Sequence, residues 1–560
     1  MRLLILSLFL SPNLFAAADL VLFNGKVITM EKKSPRAEAV AIFQDRIIAV
    51  GSNRDVLKLA DEKTRRIDLG NRVLVPGLID SHVHLSGLGF TRQELSLLDT
   101  KSEREIADRV AARAKETPKG KWILGAQWNQ NLWPEKKFPE SQMLSLASQN
   151  HPVFLTRIDG HAAWVNERAL EIAGISKNTP DPDGGKILRN AAGDPTGVLI
   201  DKAMSLVGKN IPDPSKEEVR AAVERTFLEI SAAGLTSIHN AGTSRVELEV
   251  FRELAQQNKL PFRIYALLSG RDEKLLAEYF AQGPEIGSYS SYLTIRSVKV
   301  FADGALGSRG AALLHPYHDD QKNQGLLLVK EEALYKLSLG ALKANFQIAT
   351  HAIGDDANRR VLNVYEKAMR DYPTFAKPRF RVEHAQVVDP RDIPRFASLG
   401  VIPSMQATHA TSDMTWVHSR IGEKLARDGA YAWRSFLKNG SRIANGSDAP
   451  VESIAPMLGF YAAVTRKDLH GSPAKGWHPE QKMTREEALR SFTIDPSFAA
   501  FEENEKGSIA VGKLADLTLL SQDIMTLPAE KIPSTEVLLT ITGGKIVYEN
   551  RPLSVERTTN

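Results

Sequence analysis

His82 and His84 stand one residue apart at the end of the apolar run Leu74-Val75-Pro76-Gly77-Leu78-Ile79-Asp80-Ser81-His82-Val83-His84. On a β-strand, residues i and i+2 point to the same face, so the two imidazoles aim at one point in space. Neutral imidazole is a common ligand for zinc and similar ions, which makes this a metal-site spacing. The same pair also suits two hydrogen-bonded histidines at a strand end, because short motifs carry false positives. Other short apolar segments carry Lys299, His351, His384 and Asp448 at or near their ends. A lone buried histidine is most often a satisfied core residue. Several strand ends bearing His, His and Asp together point instead to a shared cation site. Lys299 lies in Ile295-Arg296-Ser297-Val298-Lys299-Val300, where a charged ammonium is costly to desolvate. It reads as a buried ion pair, as a snorkelling edge lysine, or as an amine that reacts with carbon dioxide. The resulting carbamate would be an anionic oxygen ligand able to bridge two cations.

The elements that must hold these residues alternate. Strand-like segments end near His84, Asn240, Leu267, Val300, His351, His384, Met405 and Asp448, with helical stretches such as 217–233 and 356–370 between them. Eight βα units predict a closed (β/α)8 barrel, an α/β fold whose chemistry gathers at the carboxyl ends of the strands. Residues 20–51 and 516–548 are rich in short β-forming runs, and Asn24-Gly25 predicts a hairpin turn. Strands from both chain ends are expected to pair into one small β-unit. The segment 90–215 is too long for a loop and reads as an inserted subdomain after the first barrel strand. The division expected is a β-sandwich from 19–74 and 505–560 and a barrel over 75–504.

Met1-Arg2, the apolar stretch Leu3–Leu10 and the exit Ala16-Ala17-Ala18 read as a cleavable signal peptide over 1–18. Export, to a periplasm in a bacterium of the appropriate type, is the localisation expected. No cysteine is present, which excludes disulfides and zinc thiolates and leaves His, carboxylates or a modified side chain as ligands. The net charge is +5, or +4 without Arg2, and basic residues are interspersed with acidic ones. That balance argues against a nucleic-acid partner, and no other segment has the length of a membrane span. A small-molecule substrate is the partner expected, with a homodimer as the open assembly.

These motifs resemble the amidohydrolase superfamily, in the amidohydrolase-3 branch of metal-dependent hydrolases that includes N-substituted formamide deformylase. The resemblance runs from about Asp19 to the end. It rests on Phe23-Asn24-Gly25-Lys26-Val27-Ile28-Thr29, Pro76–His84, Thr156–Asn166, Lys299–Gly310, Thr350–Asp355, Val382–Gln386, Gly446–Glu452 and Gly512–Asp516. It implies a distorted (β/α)8 barrel with a β-sandwich built from both chain ends. It implies His82 and His84 on one divalent metal, zinc by expectation, and His351 and His384 on a second. Carbamylated Lys299 would bridge the two, and Asp448 would bind metal and handle the proton. If Lys299 is unmodified, a mononuclear site is implied. The reaction implied is hydrolysis of an amide-type C–N bond, an N-substituted formamide or N-acyl compound, by a metal-activated hydroxide. An esterase, lactonase or deaminase could use the same hydroxide, and a non-catalytic exported binding protein is the alternative of another class.

His161, Trp128 and Arg309 are the candidate substrate-binding residues, and each has a plain structural reading beside it. His161, Asp159 and Trp164 fall in the insert, which is placed to cover the site. Arg309 suits a substrate carboxylate or a loop ion pair. Trp128, Trp133 and Trp416 suit an apolar pocket or plain packing. Asp303 and Glu383 are candidate orienters of the ligands. Two segments depart from the family pattern: Gly125-Ala126-Gln127-Trp128-Asn129-Gln130, and Ala407 where proline is usual.

Overall fold

The computed structural model describes residues 17–551 except 149 and 375–376. The leader expected over 1–18 lies, but for its last two residues, outside the described residues.

Eight parallel strands form the central body: Leu78–Val83, Leu235–Thr243, Arg263–Ser269, Leu293–Phe301, Gln347–Ala352, Arg381–His384, Ile402–Gln406 and Ala444–Gly446. Each neighbours the next in chain order, and the seam between the first and the last is closed by backbone hydrogen bonds. Asp448 N–H donates to His82 O at 2.8 Å, and His84 N–H donates to Ala449 O at 2.9 Å. Helices such as Lys216–Ala232 and Asp355–Asp371 turn their apolar stripes onto the strands. Ser215 and Glu218 close a capping box on the first of these, which fixes where the helix starts. The result is the distorted (β/α)8 barrel that the alternating pattern requires.

The chain ends build a β-sandwich. Strand Leu517–Leu520 runs antiparallel to Val73–Pro76, with Leu519 opposite Leu74, so the last part of the chain completes a sheet begun by the first. A four-stranded sheet faces this six-stranded one across Leu22, Val40, Ile67, Leu74, Leu517 and Ile541. Asn24-Gly25 does not make the hairpin its sequence predicts. Strand Leu20–Phe23 belongs to the four-stranded sheet, and Lys26–Ile28 to the six-stranded one. Asn24 takes a left-handed φ of 57° and its N–H donates to Asn53 Oδ1 at 2.7 Å, so the dipeptide is a corner between sheets. Turn chemistry is local, and it cannot say which sheet the next strand joins.

Between the first and second barrel strands lies a further six-stranded sheet, whose strands run from Leu95–Ser96 to Pro195–Asp201. It has its own core around Trp128, Trp133, Trp164, Leu144 and Val153. A helix, Glu103–Glu116, packs in the same unit, with Ser102 accepting a hydrogen bond from Glu105 N–H as its N-cap. Among the described residues no helix is long and apolar enough to cross a membrane.

Candidate metal centre

The first barrel strand ends by delivering His82 and His84, and the last strand reaches the same place through Gly446. A Cβ on Gly446 would lie 2.7 Å from Asp80 Oδ1 and from His82 N, so only glycine lets the two strands approach here. Asp80 ties them together. Its Oδ1 accepts from His82 N–H and from Ser447 N–H, each at 3.0 Å. Burial, which outweighs these hydrogen bonds, pushes the Asp80 carboxyl up to about 7. Past Ser447 the chain places Asp448 with φ +60°, and His384 at the sixth strand end has φ +74°. Left-handed backbone at two non-glycine residues is strain of the kind that gathers at functional sites.

The side chains converge. Asp448 Oδ1 lies 3.4 Å from His82 Nε2 and 3.3 Å from His84 Nε2. Lys299 Nζ is 2.9 Å from His82 Nε2. The ring centroid of His384 is 5.0 Å from that of His82 and 4.6 Å from that of His351. His82, Lys299, His351, His384 and Asp448 are buried, and His84 is partly exposed. Donor atoms of His82, His84 and Asp448 lie within 4.8 Å of one another, as do those of His384, His409 and Asp448; His351 joins neither group of three. Imidazole nitrogens with a carboxylate suit a borderline divalent cation such as zinc and not magnesium or calcium, so the donor set fits the metal the fold implies.

The ligands are held from behind. Glu383 binds His82 Nδ1 and is in turn gripped by buried Arg381, whose Nε donates to Glu383 Oε1 at 2.7 Å and whose Nη2 donates to Oε2 at 3.0 Å. Arg381 Nη1 also donates to His239 Nδ1 at 3.0 Å. Gln406 Oε1 accepts a hydrogen bond from His384 Nδ1–H at 2.7 Å, which leaves Nε2 free for a cation. Asp303 accepts from Ile353, Gly354 and Ala312 N–H at 2.8–3.0 Å and lies 3.5 Å from His351 Nε2.

Electrostatics follows burial. Desolvation pulls His82 down to about 4, helped by Lys299 and opposed by Glu383 and Asp448, and takes His351 and His384 well below the ordinary histidine value. The imidazoles are therefore neutral ligands at pH 7. Desolvation also lowers the Lys299 ammonium to about 8, against the pull of Glu383 and Asp448. Asp448 stays ionised: despite burial, the imidazoles of His82, His84 and His384 hold it well below the usual carboxylate range.

His84, Lys299, His351, His384 and Asp448 form the floor of one cavity of about 1010 Å³, with His82 buried behind them. The insert supplies its roof. His161 lines the cavity and its Nδ1 is 2.6 Å from Asp201 Oδ1. Burial lowers the His161 pKa, but the hydrogen bond to Asp201 and the charges of Asp201, Asp159 and Asp303 raise it by more. Asp201 sits in a cradle: a Cβ on either Gly304 or Gly310 would strike its carboxylate. Those glycines follow Lys299 in the chain, so the loop after the fourth strand keys the insert onto the barrel.

Two predicted substrate contacts lie elsewhere. Trp128 is fully buried in the insert core, against Trp133, Phe138 and Trp164, and its Nε1 donates to Leu155 O at 2.7 Å. It does not line the cavity, because the strand that carries it turns that face inward. Arg309 is paired with Asp319 through Nε and Nη2 at 3.2 and 3.0 Å and also stays off the cavity wall. Asp159 and Trp416 do line it. Sequence reasoning passed over His409, Gln406, Arg381 and Asp201. Only His409 carried a usable signal, its place three residues beyond the strand end at Gln406.

A (β/α)8 barrel with histidines, a buried lysine and an aspartate at the carboxyl ends of its strands defines a metal-dependent hydrolase. The chain belongs to the amidohydrolase family, which matches residues 65–548. It is 34% identical to YtcJ of Bacillus subtilis over 536 residues, which is 94% of this chain and 98% of YtcJ. It is 28% identical to the N-substituted formamide deformylase of Arthrobacter pascens, over 95% of this chain and 98% of that enzyme. The structure of an uncharacterized metal-dependent hydrolase from Pyrococcus horikoshii superposes with a TM-score of 0.72 at 25% identity, covering 91% of this chain and 99% of that one. The protein is thus an amidohydrolase, a hydrolase of carbon–nitrogen bonds.

Proposed function

We propose that this chain hydrolyses the amide bond of a small N-substituted formamide or related N-acyl compound, using two zinc ions held by His82, His84, Lys299, His351, His384 and Asp448. The observation that carries the reading is the convergence of these six side chains: His84, Lys299, His351, His384 and Asp448 line the floor of a roofed cavity, and His82 lies buried directly behind them, against Lys299 and Asp448. Lys299 is buried, and its Nζ meets a histidine nitrogen and, among the described residues, no carboxylate within ion-pair distance. Such an amine can add to the carbon of carbon dioxide and release a proton, and the carbamate formed would supply the missing anionic ligand.

When bound, a divalent cation lowers the pKa of water from 15.7 toward about 7 and polarises a carbonyl. The rest is the work of the chain. Glu383 and Gln406 fix the tautomers of His82 and His384, so each presents Nε2 to the floor. An ionised Asp448 oxygen takes the proton of the attacking water and returns it to the leaving nitrogen, giving a carboxylate and an amine. His161, held through Nδ1, offers Nε2 to the substrate carbonyl. Phe90, Phe301 and Trp416 line the cavity and suit an apolar N-substituent. The similarity to N-substituted formamide deformylase supports the formyl end of this range.

The test is a panel of N-substituted formamides, N-acyl amino acids, cyclic ureides and lactones with purified, zinc-loaded protein. Fastest turnover of a formamide or N-acyl compound is expected. Turnover confined to lactones, or to an aminopurine with release of ammonia, would overturn the bond assignment. We also propose export through the leader at 1–18. Fractionation of the native host should find the chain outside the cytoplasm, beginning near Asp19, and an intact cytoplasmic chain would contradict this. We also propose a homodimer as the assembly, and size-exclusion chromatography with light scattering should return twice the mass of one chain; a single-chain mass would contradict this.

A further inference from the structure

Arg271 stands two residues past the third barrel strand, Arg263–Ser269, and lines the cavity above the metal centre. Its guanidinium lies over the ring of Phe301, 4.9 Å from the centroid. Among the described residues its side chain meets no carboxylate within ion-pair distance and makes no hydrogen bond. The other arginine on the cavity wall is already engaged: Arg157 binds Asp159, Gln130 and Asn129. Arg309 and Arg420 share Asp319. A free guanidinium fork with an aromatic face beneath it is shaped for a planar anion. Phe301 also touches the groups a substrate must reach. Its ring centroid is 5.3 Å from that of His351 on the floor and 6.3 Å from that of His161 in the roof. A carbonyl held between floor and roof and an anion held on Arg271 would therefore lie beside the same ring.

The opposite wall carries the opposite charge. In a closed barrel with strands in chain order, the seventh strand faces the third across the axis, and the eighth and first continue the wall from there. The segments after those strands bring Asp413, Glu452 and Glu94 to the cavity. The roof carboxylates Asp159 and Asp201 are taken up by Arg157 and His161. An anionic group is thus repelled from one side of the cavity and drawn to Arg271 on the other. We infer that the N-substituent of the substrate carries a carboxylate, as in an N-formyl or N-acyl amino acid, and that Arg271 binds it beside Phe301. In such a compound only the nitrogen and one carbon separate the carboxylate from the scissile carbonyl. Arg271 is then a specificity-determining residue and touches no reacting atom. Lys202, the other unpaired cation on the wall, comes from the insert and is a point charge on a flexible stem, without the fork. The inference rests on the reading of the cavity as a hydrolytic site for N-acyl compounds and adds the charge of their N-substituent.

Two matched pairs of probes test it on full-length, zinc-loaded protein. The first pair is N-formylphenylalanine and N-(2-phenylethyl)formamide, which differ only in the carboxylate. The wild type should favour the acid about 10–100-fold in kcat/KM, chiefly through KM. Arg271→Ala should abolish that preference, Arg271→Lys should recover part of it, and Lys202→Ala should keep it. The second pair is N-methanesulfonylphenylalanine and N-methanesulfonyl-2-phenylethylamine, which hold no amide bond to cleave, so calorimetric titration reads their affinities without turnover. Arg271→Ala should weaken the acid about tenfold or more and the neutral partner by about threefold or less, at an unchanged melting temperature. Equal turnover of the two formamides by the wild type overturns the inference, as does equal affinity for the sulfonylated acid in the wild type and Arg271→Ala. Formamides left intact by protein that cleaves the lactones overturn the proposed function instead, and the sulfonamide titrations still decide whether Arg271 reads a carboxylate.

Discussion

The insert core and the barrel mouth both bury large ring side chains, and they treat the polar atoms of those rings in opposite ways. In the insert, Trp128, Trp133 and Trp164 donate their indole N–H groups to the carbonyls of Leu155, Thr100 and Glu140. None of these indole N–H groups is left over for a ligand. At the barrel mouth, among the described residues, His409 Nε2 has no hydrogen-bond partner, Lys299 meets a histidine nitrogen and the face of Phe301 but no carboxylate, and the second nitrogens of His82 and His384 are fixed by Glu383 and Gln406 so that the first face inward. Buried polar groups normally satisfy one another. A cluster that is oriented from behind yet unmatched in front is organised for something added later. Aromatic residues alone therefore say little about a site, whereas the balance of their polar atoms separates scaffold from centre.

The contrast breaks most sharply at Asp448. Asp448→Asn should lower kcat by about 10³-fold or more while leaving the melting temperature within a few degrees, because the proton-accepting carboxylate is lost and its shape kept. Steady-state kinetics with a thermal melt checks both halves. Trp128→Ala should do the reverse. It should destabilise by about 3–5 kcal/mol through the cavity it leaves, with metal stoichiometry unchanged in the protein that remains folded. Denaturant unfolding with metal analysis would show it. Loss of metal without loss of stability would mean the insert core belongs to the site after all.

Glu383→Gln probes the support behind the ligands. Metal affinity should fall about 10–100-fold, measured by competition with a chelating dye, since Glu383 sets the orientation and basicity of His82.

Lys299 gives a pH-dependent effect. Burial lowers it to about 8 in the folded chain from 10.5, so between those values the unfolded state binds more protons and stability rises with pH. Lys299→Met should therefore stabilise metal-free protein by roughly 1–3 kcal/mol at pH 7. The gain should shrink from pH 8 to 10.5, and urea melts across that range test it. The smallest effect is expected at Arg309→Ala. Its pairing with Asp319 is partly exposed, so stability should change by about 1 kcal/mol or less and kcat/KM hardly at all.

Much of the barrel is legible in the sequence because parallel strands buried on both faces read as short apolar runs, and their ends carry the chemistry. His82 and His84 follow from period two alone. Arg381, Gln406 and Asp201 are not legible in the same way. Each acts on a residue far away in the chain or on another element: Arg381 on Ser81 and His239, Asp201 on His161 beside the neighbouring antiparallel strand, both through backbone geometry that no local pattern encodes. Asn24-Gly25 shows the same limit in the scaffold, since the turn is correct and the pairing is not. Trp128 and Arg309 are the right residue types for a pocket, and the strand and loop that carry them point them elsewhere.

The most direct test of the metal centre is a crystal of the zinc-loaded wild type measured on both sides of the zinc absorption edge. An anomalous peak bounded by His82, His84 and Asp448 is expected, with a second beside His384. A map with no zinc peak within the cavity, from protein that turns over substrate, would contradict the assignment of these residues as its metal ligands.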